Sequence, residues 1–260
     1  MKDIINQIRS YVDLHQLIDP KEKVLVSFSA GPDSVMVYEF LKQHMANLNN
    51  IFLIYFNHGL RPDDNEQAVI KAIEEKDRIK IHQEQLPVKQ HSLQNKMSIE
   101  HAGRDLRYSS LEQFSLNKHI ATVITAHHLD DHIETFFMQL LRGAKSRLHG
   151  ISPKRILHHP VSIVRPLLSV TKPQILQYLD SEASPYAIDP SNADPKLYQR
   201  NKVRHELIPT IESINPSYRH TLKSFMASLT PPILFIIQDI FVDEKYGSNN
   251  NPVLLIINSS

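Results

Sequence analysis

Residues 24–34 read Val-Leu-Val-Ser-Phe-Ser-Ala-Gly-Pro-Asp-Ser, an apolar run that passes directly into a short polar turn. The run over residues 24–29 predicts a buried β-strand, because it is short and rich in β-branched and aromatic residues. Residues 32–44 follow with apolar side chains at helical spacing and predict a helix. The polar turn between a strand and a helix is therefore the first candidate binding site.

This turn consists of Ser29, Ala30, Gly31, Pro32, Asp33 and Ser34. Small residues let backbone N–H groups approach a phosphate, and the helix N-terminus adds partial positive charge. Asp33 cannot bind phosphate directly, so Mg²⁺ or a ribose or amine donor is its expected partner. The turn has neither a Walker pattern nor a G-x-G-x-x-G pattern. An ordinary turn capped by Ser29 or Asp33 explains the same residues equally well.

Working outward, we predict further strands at residues 51–58 and 121–128, and helices at 62–76, 99–118 and 130–142. Strands that alternate with helices indicate an α/β fold with a mostly parallel, doubly wound sheet. Ligands bind such sheets beyond the carboxyl ends of the strands. The polar residues that directly follow each strand are therefore the candidate site.

The character of the sequence changes after Gly150, where Pro and His become frequent. We expect an α/β domain over residues 1–150, with its last elements running to about residue 190. A small, basic helical extension is expected over residues 191–229. Residues 230–260 contain two apolar segments and an Asn/Ser/Gly loop, and we expect a poorly specified tail there.

Composition excludes several classes of site. The chain has 260 residues, no cysteine and a formal net charge of +1. Without cysteine there is no disulfide framework, thiolate zinc site, iron–sulfur cluster or cysteine nucleophile. No signal peptide is recognisable at the start of the chain, and no apolar run is long enough to span a bilayer. We therefore expect a cytoplasmic protein with no membrane partner.

A second candidate site follows the predicted strand at residues 121–128. Its possible metal ligands are His127, His128, Asp130, Asp131 and His132, so a metal-dependent phosphoesterase is a fair alternative. If a helix begins near Asp130, then Asp130 and Glu134 share a face, and two carboxylates facing a cleft suit a cationic ligand such as an amine. The acids could also simply complement the helix dipole.

Three further sets of residues carry weaker signals. His58 and Arg61 flank a Gly-Leu pair after the second strand. Arg104 and Arg107 share a helical stripe with Glu100 and Tyr108, where an exposed, ion-paired face is the simpler interpretation.

The third set lies in the basic stretch over residues 195–223, which holds six Lys/Arg and two Glu. It contains Lys196, Arg200, Lys202 and Arg204, and the i, i+4 pair Arg200 and Arg204 suits a phosphate. The alternative is a solvated helix face. The shortage of matching acids in this stretch favours a nucleic-acid or ATP-phosphate contact.

Together these segments resemble the tRNA(Ile)-lysidine synthetase family, which belongs to the PP-loop ATP pyrophosphatase superfamily. The resemblance runs from about Val24 to Pro216, in order and at sensible spacing. The matching segments are residues 29–34, 58–61, 127–135, 140–143, 165–168, 189–192 and 200–204.

The resemblance implies a reaction in which ATP adenylates the 2-carbonyl oxygen of the wobble cytidine of CAU-anticodon isoleucine tRNA and releases pyrophosphate. L-Lysine then attacks the activated carbon and AMP leaves. The implied partners are this tRNA and L-lysine, with ATP as co-substrate and Mg²⁺ as its metal. A homodimer is compatible with the resemblance.

The resemblance also implies residue roles. ATP binding falls to residues 29–34 with His58 and Arg61, and Asp33 is the candidate Mg²⁺ ligand. The catalytic candidates are Asp33, Arg104, Arg107, Arg204 and His127. The lysine-binding candidates are Asp130, Asp131 and Glu134, and the tRNA-binding candidates are Lys196, Arg200 and Lys202.

The sequence departs from the family pattern in three places. Ala30 replaces a glycine, which costs about 1 kcal/mol if the position needs a positive φ. His132 stands where glutamine is expected. Little follows Lys223, where family members often carry further tRNA-binding domains.

Three other functions stay open: another PP-loop tRNA-modifying or amide-forming enzyme, the metal phosphoesterase, and a non-catalytic tRNA-binding remnant. The lack of cysteine argues against thiolating enzymes.

Overall fold

The computed structural model describes residues 2–59, 64–144, 148–188 and 199–229. The chain up to Leu229 forms one compact unit. The strands are β1 (Val24–Phe28), β2 (Ile51–Asn57), β3 (Ile81–Gln85), β4 (Thr122–Ile124), β5 (Lys154–His158) and β6 (Val161–Val164). The helices are α1 (Lys2–Leu14), α2 (Pro32–His44), α3 (Asp64–Asp77), α4 (Val88–Gln94), α5 (Ile99–Lys118), α6 (Leu129–Leu141), α7 (Lys172–Ser181), α8 (Gln199–Lys202), α9 (Ile208–Ile214) and α10 (Tyr218–Leu229).

The six strands form one sheet in the order β3-β2-β1-β4-β6-β5. All neighbouring strands are parallel except β5 and β6, which form an antiparallel pair at one edge. The chain runs outward from β1 through β2 to β3 and then returns to the other side of β1 to form β4. The switch point therefore lies between β1 and β4, where such sheets bind ligands. This arrangement confirms the predicted mostly parallel α/β fold.

Both faces of the sheet are buried, which explains the continuous apolar run in β1. Val24, Val26 and Phe28 belong to one apolar cluster, together with α1, α2 and α7. Leu25 points to the opposite face and packs in a second cluster with Leu111 of α5. Alternation along a strand sends successive side chains to the two faces, so β1 needs apolar residues at both.

The C-terminal helices pack against α6 through a third apolar cluster. Ile133 and Phe136 of α6 contact Val203, Tyr218 and their neighbours in residues 203–226. Residues 203–207 form a π-helical segment that joins α8 to α9. The described residues 199–229 thus belong to the same compact unit as the sheet. The predicted boundary near residue 190 and the predicted tail at 230–260 fall outside the described residues.

The predicted elements agree with the structure where the apolar periodicity is long. The helices Pro32–His44 and Ile99–Lys118 have the predicted bounds. The strand predicted at residues 121–128 corresponds to β4, which is shorter and ends at Ile124, because the following polar residues form a loop at the sheet edge. The antiparallel hairpin of β5 and β6 and the short helix α4 were not predicted from the sequence.

Ala30 adopts a left-handed backbone conformation with φ of 59°, and its side chain is fully buried. An L-residue with a β-carbon is strained there, and a β-branched residue is strained more. We predict that Ala30→Val lowers the free energy of unfolding by roughly 2 kcal/mol or more. Ala30→Gly should stay within about 1 kcal/mol of the parent, because relief of strain offsets the lost methyl burial. Urea unfolding measures both, and equal values for the two variants would contradict the assigned strain.

Candidate functional site

The turn after β1 is closed by its own serines. Ser34 Oγ donates to the Gly31 carbonyl at 2.9 Å and accepts from the Ser29 backbone N–H at 3.2 Å. The Ser29 and Ser34 hydroxyls lie 3.2 Å apart. Helix α2 begins directly after this turn, so the unpaired N–H groups of its first turn face the loop. The local structure is suited to an anion such as a phosphate.

A cavity of about 200 Å³ opens beside this turn, at the carboxyl ends of β1 and β4. It brings together groups from three parts of the sequence: the turn, the loop after β4 and helix α5. Its lining residues are Ser27, Ser29, Asp33, Arg104, Arg107, Tyr108, Leu111, Thr125, Ala126 and His127. Four of the five predicted catalytic residues therefore share one cavity, the exception being Arg204. Arg104, Arg107 and Tyr108 of the predicted α5 stripe line this cavity, so the stripe is not merely a solvated surface.

His127 is held in its neutral form. Its Nδ1 lies 3.1 Å from the Thr125 hydroxyl. Burial lowers the pKa of His127 to about 4; Asp131 opposes this shift, and nearby Arg165, Arg200 and Arg104 act in the same direction as burial. At neutral pH the ring is therefore unprotonated and able to accept a proton.

His128 has the opposite character. Burial alone would lower the pKa of His128, but the carboxylates of Asp130, Asp131 and Asp33 raise it above its ordinary value. Its ring nitrogens lie 3.5 Å from Asp130, 3.5 Å from Asp131 and 3.9 Å from Asp33. The imidazole of His128 therefore joins the turn after β1 to the start of α6.

The acids of α6 are paired with arginines from the C-terminal helices. Glu134 has a side chain only 2% exposed and accepts from Arg200 Nε at 2.7 Å and from Arg204 Nε at 2.6 Å. Asp131 accepts from Arg200 at 2.8 Å. The basic stretch over residues 195–223 has only two acids of its own, and the carboxylate partners of Arg200 and Arg204 lie on α6, about 70 residues earlier in the chain.

Asp130 faces a different direction from Glu134. It accepts from the backbone N–H of Lys172 at 2.8 Å and from Arg219 at 2.9 Å. Burial alone would raise the pKa of Asp130, but the neighbouring His128 imidazole and the hydrogen bonds from Lys172 and Arg219 hold that pKa well below its usual range. The expected pairing of Asp130 with Glu134 on one face is thus replaced by a pairing of Asp131 with Glu134, which share Arg200.

Two cationic residues of this site were not identified from the sequence. Lys172 Nζ donates to Asp33 at 2.7 Å, and Arg219 bridges Asp130 and Glu212. Lys172 follows Thr171, whose side chain caps α7, so its position at the sheet edge depends on the start of that helix. No local sequence signal distinguishes these two residues from ordinary surface cations.

The remaining predicted residues are placed as follows. His58 packs against Gly103 of α5, where an added β-carbon would lie 3.5 Å from its ring, and it does not line the cavity. Lys202 is exposed on α8. Arg61 and Lys196 lie outside the described residues.

The metal-site alternative gains no support from the geometry. Among the described residues, no three His, Asp or Glu side chains converge as metal ligands. His132 turns away from the cluster, and its Nδ1 accepts from the backbone N–H of Ile151 at 2.8 Å. Gly150 makes this close approach possible, because a β-carbon there would lie 2.7 Å from the ring.

None of the described helices has the length and apolar character needed to cross a bilayer.

The switch-point cavity and the phosphate-suited turn define an α/β nucleotide-binding domain. Residues 3–211 match the family model described as a PP-loop domain, and the chain belongs to this family. It is 34% identical over 239 residues to a protein of Listeria innocua named bifunctional protein TilS/HprT. It is 31% identical over 238 residues to a tRNA(Ile)-lysidine synthase of Persephonella marina.

These matches cover most of this chain but only part of the relatives. The Listeria match spans 91% of this chain and 37% of that protein, and the Persephonella match spans 90% and 50%. The chain therefore spans half or less of the length of these two relatives.

The structure is also similar to the U34-tRNA thiolase NcsA from Methanococcus maripaludis, solved with its [4Fe-4S] cluster. The TM-score is 0.67 at 17% identity, over 95% of this chain and 83% of that chain. This similarity concerns the fold alone. The present chain has no cysteine to ligate such a cluster.

We predict that Glu134→Gln lowers the free energy of unfolding by about 2–4 kcal/mol, because it leaves two guanidinium groups without their buried counter-charge. Glu75→Gln is the matched control. Its partner Lys71 lies 3.9 Å away on the surface of α3, and such pairs contribute less than about 1 kcal/mol. Chemical denaturation measures both variants, and a Glu134→Gln change no larger than the control would contradict the buried network.

His132 should make the fold acid-labile. Burial, with the charges of His149 and Lys223, lowers its pKa from 6.5 to about 4. Stability from the neutral ring is complete above pH 6.5 and is lost as the pH falls toward 4, by on the order of 2–3 kcal/mol. His132→Gln keeps an acceptor for Ile151 and should lose less stability than the parent between pH 7 and 4.5. Identical pH profiles from urea unfolding would contradict this assignment.

Proposed function

We propose that this chain performs the chemistry of a tRNA(Ile)-lysidine synthetase. ATP adenylates the 2-carbonyl oxygen of the wobble cytidine in CAU-anticodon isoleucine tRNA, and pyrophosphate leaves. L-Lysine then attacks the activated carbon, and AMP leaves. The named relatives support this assignment. One observation carries it: the phosphate-suited cavity and the α6 carboxylates adjoin at one sheet edge, through Asp33, His128 and Lys172.

The nucleotide half of the proposal uses the turn after β1 and helix α5. Ser29, Gly31 and Ser34 cradle the phosphates with hydroxyl and backbone N–H groups. Arg104 and Arg107 enter the same cavity from α5, where they can stabilise the negative charge that concentrates on the phosphate during adenyl transfer. Fixed positive charge in a partly enclosed cavity stabilises the transition state more strongly than bulk water would.

Asp33 fits a Mg²⁺–nucleotide complex. It is the acidic residue among those lining the cavity, and magnesium usually takes one or two carboxylates together with substrate phosphates. Mg²⁺, when bound, would neutralise phosphate charge. Lys172 holds one oxygen of Asp33 at 2.7 Å and so fixes its orientation toward the cavity.

The lysine half of the proposal uses Asp130, Asp131 and Glu134. In the structure these acids and Asp33 already face four cations: Lys172, Arg200, Arg204 and Arg219. A lysine ammonium must therefore share or displace an existing partner. Asp131, with contacts at 2.8 and 3.6 Å to two arginines, offers a weaker hold than Glu134 and is the favoured exchange point.

The attacking amine must lose a proton before it can form the new bond. His127 lines the cavity in its neutral form, so we propose it as the acceptor. Arg204 was expected to contact phosphate. Its Nε and terminal nitrogen donate to Glu134 at 2.6 and 3.0 Å, so in this proposal it orients that carboxylate.

Two alternatives remain for experiment. Another PP-loop tRNA-modifying enzyme would share the nucleotide cavity, and a non-catalytic remnant would bind tRNA without consuming ATP. We place the reaction in the cytoplasm, since a chain without cysteine is compatible with a reducing compartment. Lys196, Arg200 and Lys202 stay candidates for tRNA contact, and a homodimer stays an expectation.

The test is incorporation of labelled lysine into a CAU-anticodon isoleucine tRNA transcript with ATP and Mg²⁺. The parent should label the RNA and release pyrophosphate. Asp33→Ala should lower both rates at least ~100-fold, because the Mg²⁺–nucleotide complex loses the protein carboxylate proposed to hold it. Asp13→Ala, an exposed acid on α1, is the control and should match the parent. Absence of label with the parent at high enzyme concentration would refute the proposed function.

A further inference from the structure

A second cavity of about 300 Å³ lies between helix α5 and the edge strand β5. Its lining residues are His101, Arg104, Asp105, Tyr108, Ser109, Glu112, Arg155 and Leu157. It shares the lining residues Arg104 and Tyr108 with the nucleotide cavity, so the two cavities adjoin. No role in the proposed chemistry accounts for Arg155 or for the hairpin that presents it.

The second cavity has an excess of available positive charge. The guanidinium groups of Arg104 and Arg155 lie 4.9 and 5.5 Å from the centre of the Tyr108 ring. Among the described residues, neither arginine forms an ion pair with a carboxylate. The two acids that line the cavity have other neighbours, since Asp105 lies 2.8 Å from His91 and Glu112 lies 3.9 Å from His158.

Each guanidinium group is attracted to the ring, but the two cations repel each other, and a bound anion would reduce that repulsion. Burial lowers the pKa of Arg165, and the positive charges of Arg155 and Arg104 act in the same direction. Arginine stacked on an aromatic ring keeps its N–H groups available and planar, which suits bidentate contact with phosphate. The cavity is therefore chemically suited to a phosphodiester.

The arginines of the C-terminal helices are less available for this purpose. Arg200, Arg204 and Arg219 are each held by carboxylates at 2.9 Å or less. Arg155, in contrast, is exposed on an edge strand next to the cavity where the target base must meet ATP.

We propose that the second cavity, with Arg155 as its principal cation, binds the RNA backbone next to the nucleotide that enters the ATP cavity. This inference rests on the proposed function and deepens it, because it assigns the path of the RNA strand. Arg104 then contacts both ligands, since it lines both cavities. The β5–β6 hairpin acts as an RNA-binding edge of the sheet.

The test compares charge reversal at two adjacent residues of β5. Arg155→Glu changes the cavity, whereas Lys154→Glu makes the same change in charge on the opposite face of the strand. Both side chains are exposed, and thermal unfolding checks that both variants fold. Affinity for the CAU-anticodon tRNA transcript is measured by fluorescence anisotropy over a salt series, and ATP affinity is measured in parallel.

We expect Arg155→Glu to weaken RNA binding at least ~10-fold relative to Lys154→Glu at about 0.1 M salt, and to reduce the salt slope by about 1. Arg155→Gln should reduce the salt slope by a similar amount, and it replaces Arg155→Glu in the test if that variant does not fold. Equal RNA affinities for the two reversals would overturn the assignment of the cavity while leaving the proposed function intact. A parent that binds ATP but no RNA would overturn both.

Discussion

The buried carboxylate of Glu134 must be neutralised, and this requirement fixes where the C-terminal helices pack. With 2% of its side chain exposed, Glu134 is largely removed from water, and Arg200 and Arg204 supply its counter-charge. Apolar contacts between α6 and α10 bury further surface in the same region. The same network brings the basic part of the chain to the carboxyl edge of the sheet.

Two kinds of chemistry meet at that edge because of strand order. The switch point between β1 and β4 opens a cavity for a nucleotide, and α6 begins directly after the loop that follows β4. His128 connects the nucleotide cavity to the start of α6, since its ring lies 3.9 Å from Asp33 and 3.5 Å from Asp130. Activation of one substrate and attack by another can therefore occur without a large movement of either. Four acids face four cations at this edge, so in the proposed reaction lysine enters by exchange of partners.

Local sequence was sufficient for the elements with long apolar periodicity and for the polar turns that follow β1 and β4 at the sheet edge. It was insufficient where partners are distant in the chain. The pairing of Arg200 with Glu134 spans 66 residues, and that of Lys172 with Asp33 spans 139, so no local pattern contains them. The β5–β6 hairpin was missed because β5 is mostly exposed and lacks an apolar pattern.

The backbone conformation at Ala30 also could not be predicted from the local sequence. The residue type indicated a cost if φ were positive, but only the structure gives the value of 59°. The departure at His132 is similar, since its partner Ile151 lies 19 residues away. In both cases the residue was recognised as unusual, and its surroundings decided its consequence.

In the proposed reaction, the residues at one edge of the sheet transfer lysine to a single cytidine of the tRNA. Nucleoside mass spectrometry of the CAU-anticodon tRNA after incubation with the protein, ATP, Mg²⁺ and lysine tests this directly. We expect the first anticodon cytidine to be converted to its lysine adduct, and omission of ATP or lysine to prevent the conversion. An unmodified cytidine in the complete mixture, or a modification that does not need lysine, would contradict it.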